Sequence, residues 1–333
     1  MVSSSWMRNR GNVVAILQLE QNGNAMRVLV AGDANVDLVL RGDVVPRFGQ
    51  AEQLLDSADL TLGSSAGIVA HGLARLGIPT SLAATTGDDE FGKLTRGWLS
   101  EAGVDVSQLG VHPTRPTGLS VILSAPADRS ILTLLGSIPT LSGDAVLAAA
   151  SGASHVHFAS YFLLPGLAAE LPSVLRSLRS RGITTSLDTN WDPAERWAGL
   201  ATALPLVDIL LPNLEELRAI ASALGMTGGS DEDLARGLAT LGPRVVVKAD
   251  REGGWSVAAD SPVVCTPALV LDAIDTTGAG DSFDAGYLAA VASGVHSEVE
   301  RLRWATVAGS LSTRAAGGTR AQATRAELTA HLA

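Results

Sequence analysis

Short apolar runs recur along the chain, and between and around them lie stretches of helical periodicity. The runs are VLVAG (28–32), SLAAT (81–85), HVHFAS (155–160), TTSLD (184–188), DILLPN (208–213) and VVVKAD (245–250). Most end in a polar residue or glycine, several are rich in β-branched residues, and none alternates strictly between apolar and polar. That is how strands buried on both faces of a parallel sheet read. Helical patterns fall at 66–76, 89–102, 167–180, 213–224 and 231–241. Strand–helix alternation along the whole chain predicts an α/β fold, a mostly parallel sheet with helices on both faces. Segments 38–62 and 117–135 break the rhythm. They read as strands without intervening helices, with turn residues at Gly42-Asp43, Pro46 and Asp128-Arg129, and are expected to form a small β-sheet lid over one end of the main sheet.

Composition narrows the function classes. With 333 residues, 46% of them apolar, the chain can bury a sizeable core. The formal net charge of -10, with no Lys/Arg-rich run, argues against a nucleic-acid partner, which needs the opposite sign. Cys265 is the sole cysteine, so internal disulfides and Cys-paired zinc sites are excluded and a reducing, cytoplasmic setting is expected. No apolar run approaches the length of about 18 residues that a membrane span requires. Near the start, Arg8 and Arg10 precede the apolar run 13–17, which Gln18 and Glu20 cut short. Residues 1–25 are therefore read as an upstream extension, with the functional domain opening near Met26 and running to 333.

The sharpest segment is Asp275-Thr276-Thr277-Gly278-Ala279-Gly280-Asp281-Ser282-Phe283. Its Gly-Ala-Gly run allows a tight turn and close approach by a ligand. A helix is expected from about Asp281 to Ser293, with Gly294 as its stop. Backbone N–H groups at a helix start form an anion site. A carboxylate placed there could take a proton from a hydroxyl while the N–H groups hold a phosphoryl group. The same residues would equally serve as a plain helix cap with a glycine-rich approach. At the carboxyl ends of the expected strands, where ligands of such sheets bind, stand Asp33, Asp37, Asp188, Asn190, Asn213, Glu216 and Lys248.

The segment DTTGAGDSFDAGYL (275–288) resembles the C-terminal signature of the ribokinase-like, phosphofructokinase-B-type carbohydrate kinases. Further stretches fall where that family has them and in its order: GDANVD (32–37), GSSAGIVAHGLARLG (63–77), TGDDEFGKL (86–94), PTG (116–118), SLDTNWDP (186–193), LPNLEEL (211–217) and AGSLSTRAAGG (308–318). The resemblance covers about 26–320. It implies a ribokinase-like three-layer sandwich with a β-sheet lid, and ATP-dependent phosphorylation of a hydroxyl on a sugar or sugar-like molecule. By its place in the motif Asp281 is implied as the catalytic base, and Gly278, Ala279 and Gly280 as the anion hole. Asn213 and Glu216 match the family's N-x-x-E motif, implying that Glu216 helps hold Mg²⁺ through water. Lys248, Gly253 and Gly318 fall in nucleotide-binding stretches. Asp37, Gly63 and Ser64 are implied on the substrate side. Asp275 and Thr277 lie where some members hold a monovalent cation such as K⁺. In the family the lid closes over the sugar and often mediates homodimers.

Several positions depart from the pattern. The family's usual sugar-binding Asn falls on Ile68, so either one acceptor hydroxyl goes unread or the acceptor has an apolar edge there, and ribose itself is a weak choice. Ser64 replaces the second glycine of a Gly-Gly pair. In the K-x-G-x-x-G stretch, Asp250 stands where glycine usually takes a positive φ, a conformation Asp tolerates better than most residues. Other signals are set aside. Residues 87–94 nearly fit a Walker A loop, yet Leu94 lacks the hydroxyl for Mg²⁺ and three acidic residues would repel phosphate. His155 and His157 share a strand face but lack further ligands, and read as core residues. Trp191 and Trp197 are expected to pack or line a rim, and Asn190 to be a structural loop residue. Arg129, in the lid, would suit an anionic substrate such as a sugar acid or sugar phosphate, or else sit solvated in a turn. Within the kinase class, 2-keto-3-deoxy-sugar-acid, fructose-type and nucleoside acceptors stay open. A nucleotide-binding regulator without turnover is the second class. A dinucleotide oxidoreductase is weaker, because Gly32-Asp33-Ala34-Asn35 lacks G-x-G-x-x-G.

Overall fold

A computed structural model describes residues 26–49, 52–125 and 129–332. The extension expected at 1–25 and the turn residue Asp128 lie outside them. The chain opens with β1 (Val28–Ala31), β2 (Asn35–Gly42), β3 (Leu55–Leu62), α1 (Ser65–Arg75), β4 (Thr80–Gly87) and α2 (Glu90–Glu101). Then come β5 (Leu109–His112), β6 (Gly118–Ser124), β7 (Arg129–Leu134), α3 (Gly143–Ala149), β8 (His155–Phe158), α4 (Pro165–Ser180) and β9 (Thr184–Leu187). Next are α5 (Leu200–Ala203), β10 (Ile209–Leu210), α6 (Leu214–Ala223), α7 (Asp231–Ala239), β11 (Arg244–Lys248), β12 (Gly254–Val257) and β13 (Val264–Thr266). The chain closes with α8 (Ala279–Ala292), α9 (Glu298–Ser312) and α10 (Arg325–Leu332).

The main sheet has the order β13-β12-β11-β10-β9-β8-β1-β4-β5, parallel from β11 to β5 and antiparallel at the β12 and β13 edge. Each expected apolar run lies in a strand of it. Both faces are covered because side chains alternate across each strand. Leu29 and Ala31 enter one core with Leu171, Leu175 and Leu178 of α4, while Val28 and Val30 enter the other with Leu73 of α1 and Tyr287 of α8. On β8, His155 and His157 are buried, and Ser186 Oγ lies 2.8 Å from a ring nitrogen of each. Burial pushes them down to about 3 and about 4, so both are neutral core residues. No helix among the described residues is long and apolar enough to cross a membrane.

The lid is a second sheet of order β3-β2-β6-β7, with β2 and β6 parallel and both outer pairs antiparallel. It starts three residues before the expected 38, at Asn35, directly after the tight exit from β1. Asp37 therefore belongs to the lid, opposite Thr61 of β3 and Ser120 of β6, and not to the edge of the main sheet. A register shift at Arg41/Gly42 bends β2 where it leaves the site.

Candidate active site

The site lies where α8 begins. Gly278 takes a left-handed φ of 70° as the residue before the helix. A Cβ there would lie 2.7 Å from the Cα of Gly318, so the loops at 278 and 318 touch backbone to backbone. Within the Gly278-Ala279-Gly280 run, the Ala279 N–H donates back to Thr276 O at 3.2 Å. One residue further on, the Asp281 carboxylate accepts a hydrogen bond of 2.5 Å from the Ser65 hydroxyl, at the first turn of α1. Two helix starts thus converge on one carboxyl group. Burial pushes Asp281 up to about 7; Ser65 opposes this, while Asp188 and Asp33 add to it.

Asp37 lies in the lid, its carboxyl coupled to the same buried Asp33 that acts on Asp281. Gly63 is required beside it, since a Cβ would fall 2.1 Å from Asp37 Oδ1 and 2.7 Å from Asn35 Nδ2. Asn35 Nδ2 donates to Asp37 Oδ1 at 3.0 Å. Burial, then the neighbouring Asp33, raises Asp37 to about 7. Asp33 itself accepts from the Ala66 N–H at 3.0 Å and is raised by burial. The Ser64 hydroxyl, expected on the substrate side, caps α1 instead: at φ 70° it accepts from Gly67 N at 2.9 Å.

On the opposite side, the Lys248 ammonium donates to Asp188 at 2.7 Å and to Asp284 at 3.3 Å, with both carboxylates fully buried. Asp188 is held below its ordinary range: burial raises it, but Lys248 and the hydrogen bonds outweigh burial. Asp284 is raised by burial, and its Oδ1 has no partner. Asn213 and Glu216 form a reciprocal cap at the start of α6: Glu216 N donates to Asn213 Oδ1 and Asn213 N to Glu216 Oε2, both at 2.8 Å. Burial and Asp188 push Glu216 up to about 7. The Lys248 ammonium is thus held between two of these buried carboxylates. Among the described residues no three His, Cys, Asp or Glu side chains form a metal cage. Asp250 does take the positive φ expected of it, 48°. Gly253 is needed because a Cβ would sit 2.1 Å from Thr266 O.

Comparison with known proteins decides what this arrangement belongs to. Residues 26–325 match the pfkB family carbohydrate kinase description. The chain belongs to that family. It is 31% identical to the ATP-dependent ribose-1-phosphate kinase of Halopiger xanaduensis over 298 residues, 86% of this chain and 92% of the relative. It is 30% identical to a Klebsiella pneumoniae fructokinase over 281 residues, 80% and 85% of the two chains. The Arabidopsis thaliana ribokinase solved with ribose and ATP superposes with a TM-score of 0.80 at 24% identity, covering 93% of this chain and 99% of that one. The carbohydrate kinase thus has the ribokinase-like architecture expected of it.

The fold of this pfkB kinase rearranges several expectations. Ile68 is 3% exposed and packs under the glycine loops, with its Cδ1 2.5 Å from where a Gly318 Cβ would be and its Cγ2 3.2 Å from one on Gly278. It fills the space against these loops. Asp275 and Thr277, expected at a cation, are bonded to each other and to the lid. Asp275 Oδ1 accepts from Thr277 N and Oγ1, and its Oδ2 from Gly317 N and Arg41. Arg129 donates from β7 to Thr277 Oγ1 at 3.1 Å and is no mere turn residue. Asn190 is structural: it accepts from Ser160 N at 2.7 Å and sits at φ 51°. Trp191 and Trp197 stack edge to face, the first half exposed and the second buried. Asp89 of the near-Walker stretch caps α2 and ties it to Thr117. Sequence reasoning missed Ser65, Asp284 and Arg41. Asp284 carried a signal, lying one helical turn after Asp281 and so on the same face. Ser65 and Arg41 carried none.

Proposed function

We propose that this kinase transfers the γ-phosphoryl group of ATP to a hydroxyl of a sugar or sugar phosphate, with Asp281 taking the hydroxyl proton. The observation that carries this reading is the Asp281 carboxyl, half-buried at the start of α8 beside Ser65 and raised to about 7, where a base of that strength is half ionised near neutral pH. An acceptor hydroxyl would displace the Ser65 hydrogen bond and donate to Asp281 in its place. The glycine turn Gly278-Ala279-Gly280 and the start of α8 would hold the phosphoryl group in transfer. Asp37 would accept from other hydroxyls of the acceptor, at a height set by Gly63. Asn213, Glu216, Lys248, Gly253 and Gly318 would line the nucleotide side. Mg²⁺, held by Glu216 through water, would offset phosphate charge. Arg129 lowers Asp37 by its charge, which supports an acceptor bearing an anionic group. The exposed Ile131, Leu132 and Leu134 on the lid support a homodimer formed through it.

The test is ADP release from Mg-ATP across sugars, sugar acids, sugar phosphates and nucleosides, with Asp281→Asn alongside. An acceptor-dependent signal that the variant loses is expected. ATP binding without turnover on any acceptor would instead favour a regulator on the same fold.

A further inference from the structure

We propose that Arg41 of the lid stands in for a monovalent cation at Asp275, so that lid closure and not K⁺ charges and orders the loop before α8. Two carboxylate oxygens offer about four lone-pair positions. At Asp275 all four are taken: Thr277 N at 2.9 Å and Thr277 Oγ1 at 2.7 Å on one oxygen, Gly317 N at 3.0 Å and the Arg41 guanidinium at 3.3 Å on the other. One of those donors already carries a full positive charge. A potassium ion at this carboxylate would have to expel it, so the residues present do not fit the ion.

Arg41 is itself held in place. Its other guanidinium nitrogen pairs with Asp59 of β3 at 2.7 Å, and the second oxygen of Asp59 takes Arg320 at 3.1 Å. The charges Arg320, Asp59, Arg41 and Asp275 alternate in sign across four segments, two in the lid and two in the loops around 275 and 317–320. The bend in β2 at Arg41/Gly42 turns the chain where this side chain leaves the ladder. The Arg41 and Asp275 side chains are 27% and 17% exposed, so solvent screens the contact less than it would a surface pair. Gly317 and Asp275 flank the two glycines, 318 and 278, that meet backbone to backbone. Pinning one to the other sets the height of the loop. Arg41 is thus a positioning residue, and the inference rests on reading Gly278–Gly280 as the phosphoryl site.

The test separates the two readings. Thermal unfolding of the full chain, without substrate, is compared in KCl, NaCl and choline chloride at equal ionic strength, for the wild type and Arg41→Gln. The expected result is one Tm for the wild type in all three salts, and a variant whose Tm is lower in choline and rises by about 2 °C or more in KCl. ADP release with whichever acceptor is active should likewise be cation-independent in the wild type, and in Arg41→Gln about tenfold slower in choline than in KCl. A wild-type Tm or rate that itself depends on K⁺ overturns the proposal, as does a variant that acquires no cation response. Should Arg41→Gln not fold, the wild-type comparison decides alone. Should no acceptor be found, the kinase reading fails while the Tm comparison still judges the role of Arg41.

Discussion

Replacing Asp281 by Asn keeps the shape and removes the ionisation, and the structure predicts opposite effects on activity and stability. Without a base, kcat should fall roughly 10²–10⁴-fold, with little change in nucleotide affinity. In the wild type, kcat/KM should decline as pH drops below about 7, because only the ionised carboxylate can take the proton. The stability effect has the reverse sign. A carboxyl raised from 3.8 to about 7 by folding contributes stability that is full below 3.8 and lost as pH rises through 7. At about 1.4 kcal/mol per pH unit, that loss amounts to about 4 kcal/mol at most, less because Asp281 keeps partial contact with solvent. The Asn variant has no such loss. Its stability relative to wild type should therefore rise between pH 5 and pH 8, as measured by urea unfolding at a series of pH values. Activity within tenfold of wild type would remove Asp281 from the base role. A stability difference that stays flat with pH would show that burial does not raise this carboxyl.

Further substitutions probe the surroundings. In Gly63→Ala the new Cβ would fall 2.1 Å from Asp37 Oδ1, so the carboxylate must move and kcat/KM for the acceptor should drop about 10²-fold, with the KM for ATP unchanged; equal loss for both substrates would refute the assignment of Asp37. Lys248→Met leaves Asp188 and Asp284 buried without their cation, and removing one partner of such a cluster costs about 3–5 kcal/mol. Tm should fall by roughly 6 °C or more, and an unchanged Tm at pH 7 would mean the cluster is not ionised. Ser65→Ala removes a donor to the charged form of Asp281, so the acidic limb of kcat/KM should move up by about one pH unit; an unmoved limb would show that Ser65 only caps space.

The chain's local chemistry determines its architecture. Apolar runs such as VLVAG and VVVKAD have no polar face and must be covered on both sides, which commits them to the interior of a parallel sheet. Gly278-Ala279-Gly280-Asp281 marks its helix start by composition alone, and Gly294 its end. Elements without a clean period escaped this reading. The strands β5 and β13 lie at the two edges of the main sheet with β12 next to β13, and α9 scatters its apolar residues because it packs on α8 as well as on the sheet. The departure at position 68 was visible in the sequence, but its meaning was not, because a side chain one helical turn from Ser64 gives no sign of facing glycine backbone 210 and 250 residues away. The pairs Ser65–Asp281 and Arg41–Asp275 join residues 216 and 234 positions apart. Periodicity reports which face of an element is apolar, and motifs report local backbone form; neither reports which polar atoms meet across the fold. Only closure of the lid on the loops around 275 and 317–320 decides that Asp275 holds a guanidinium, since a carboxylate binds whichever cation the surrounding chain brings nearest.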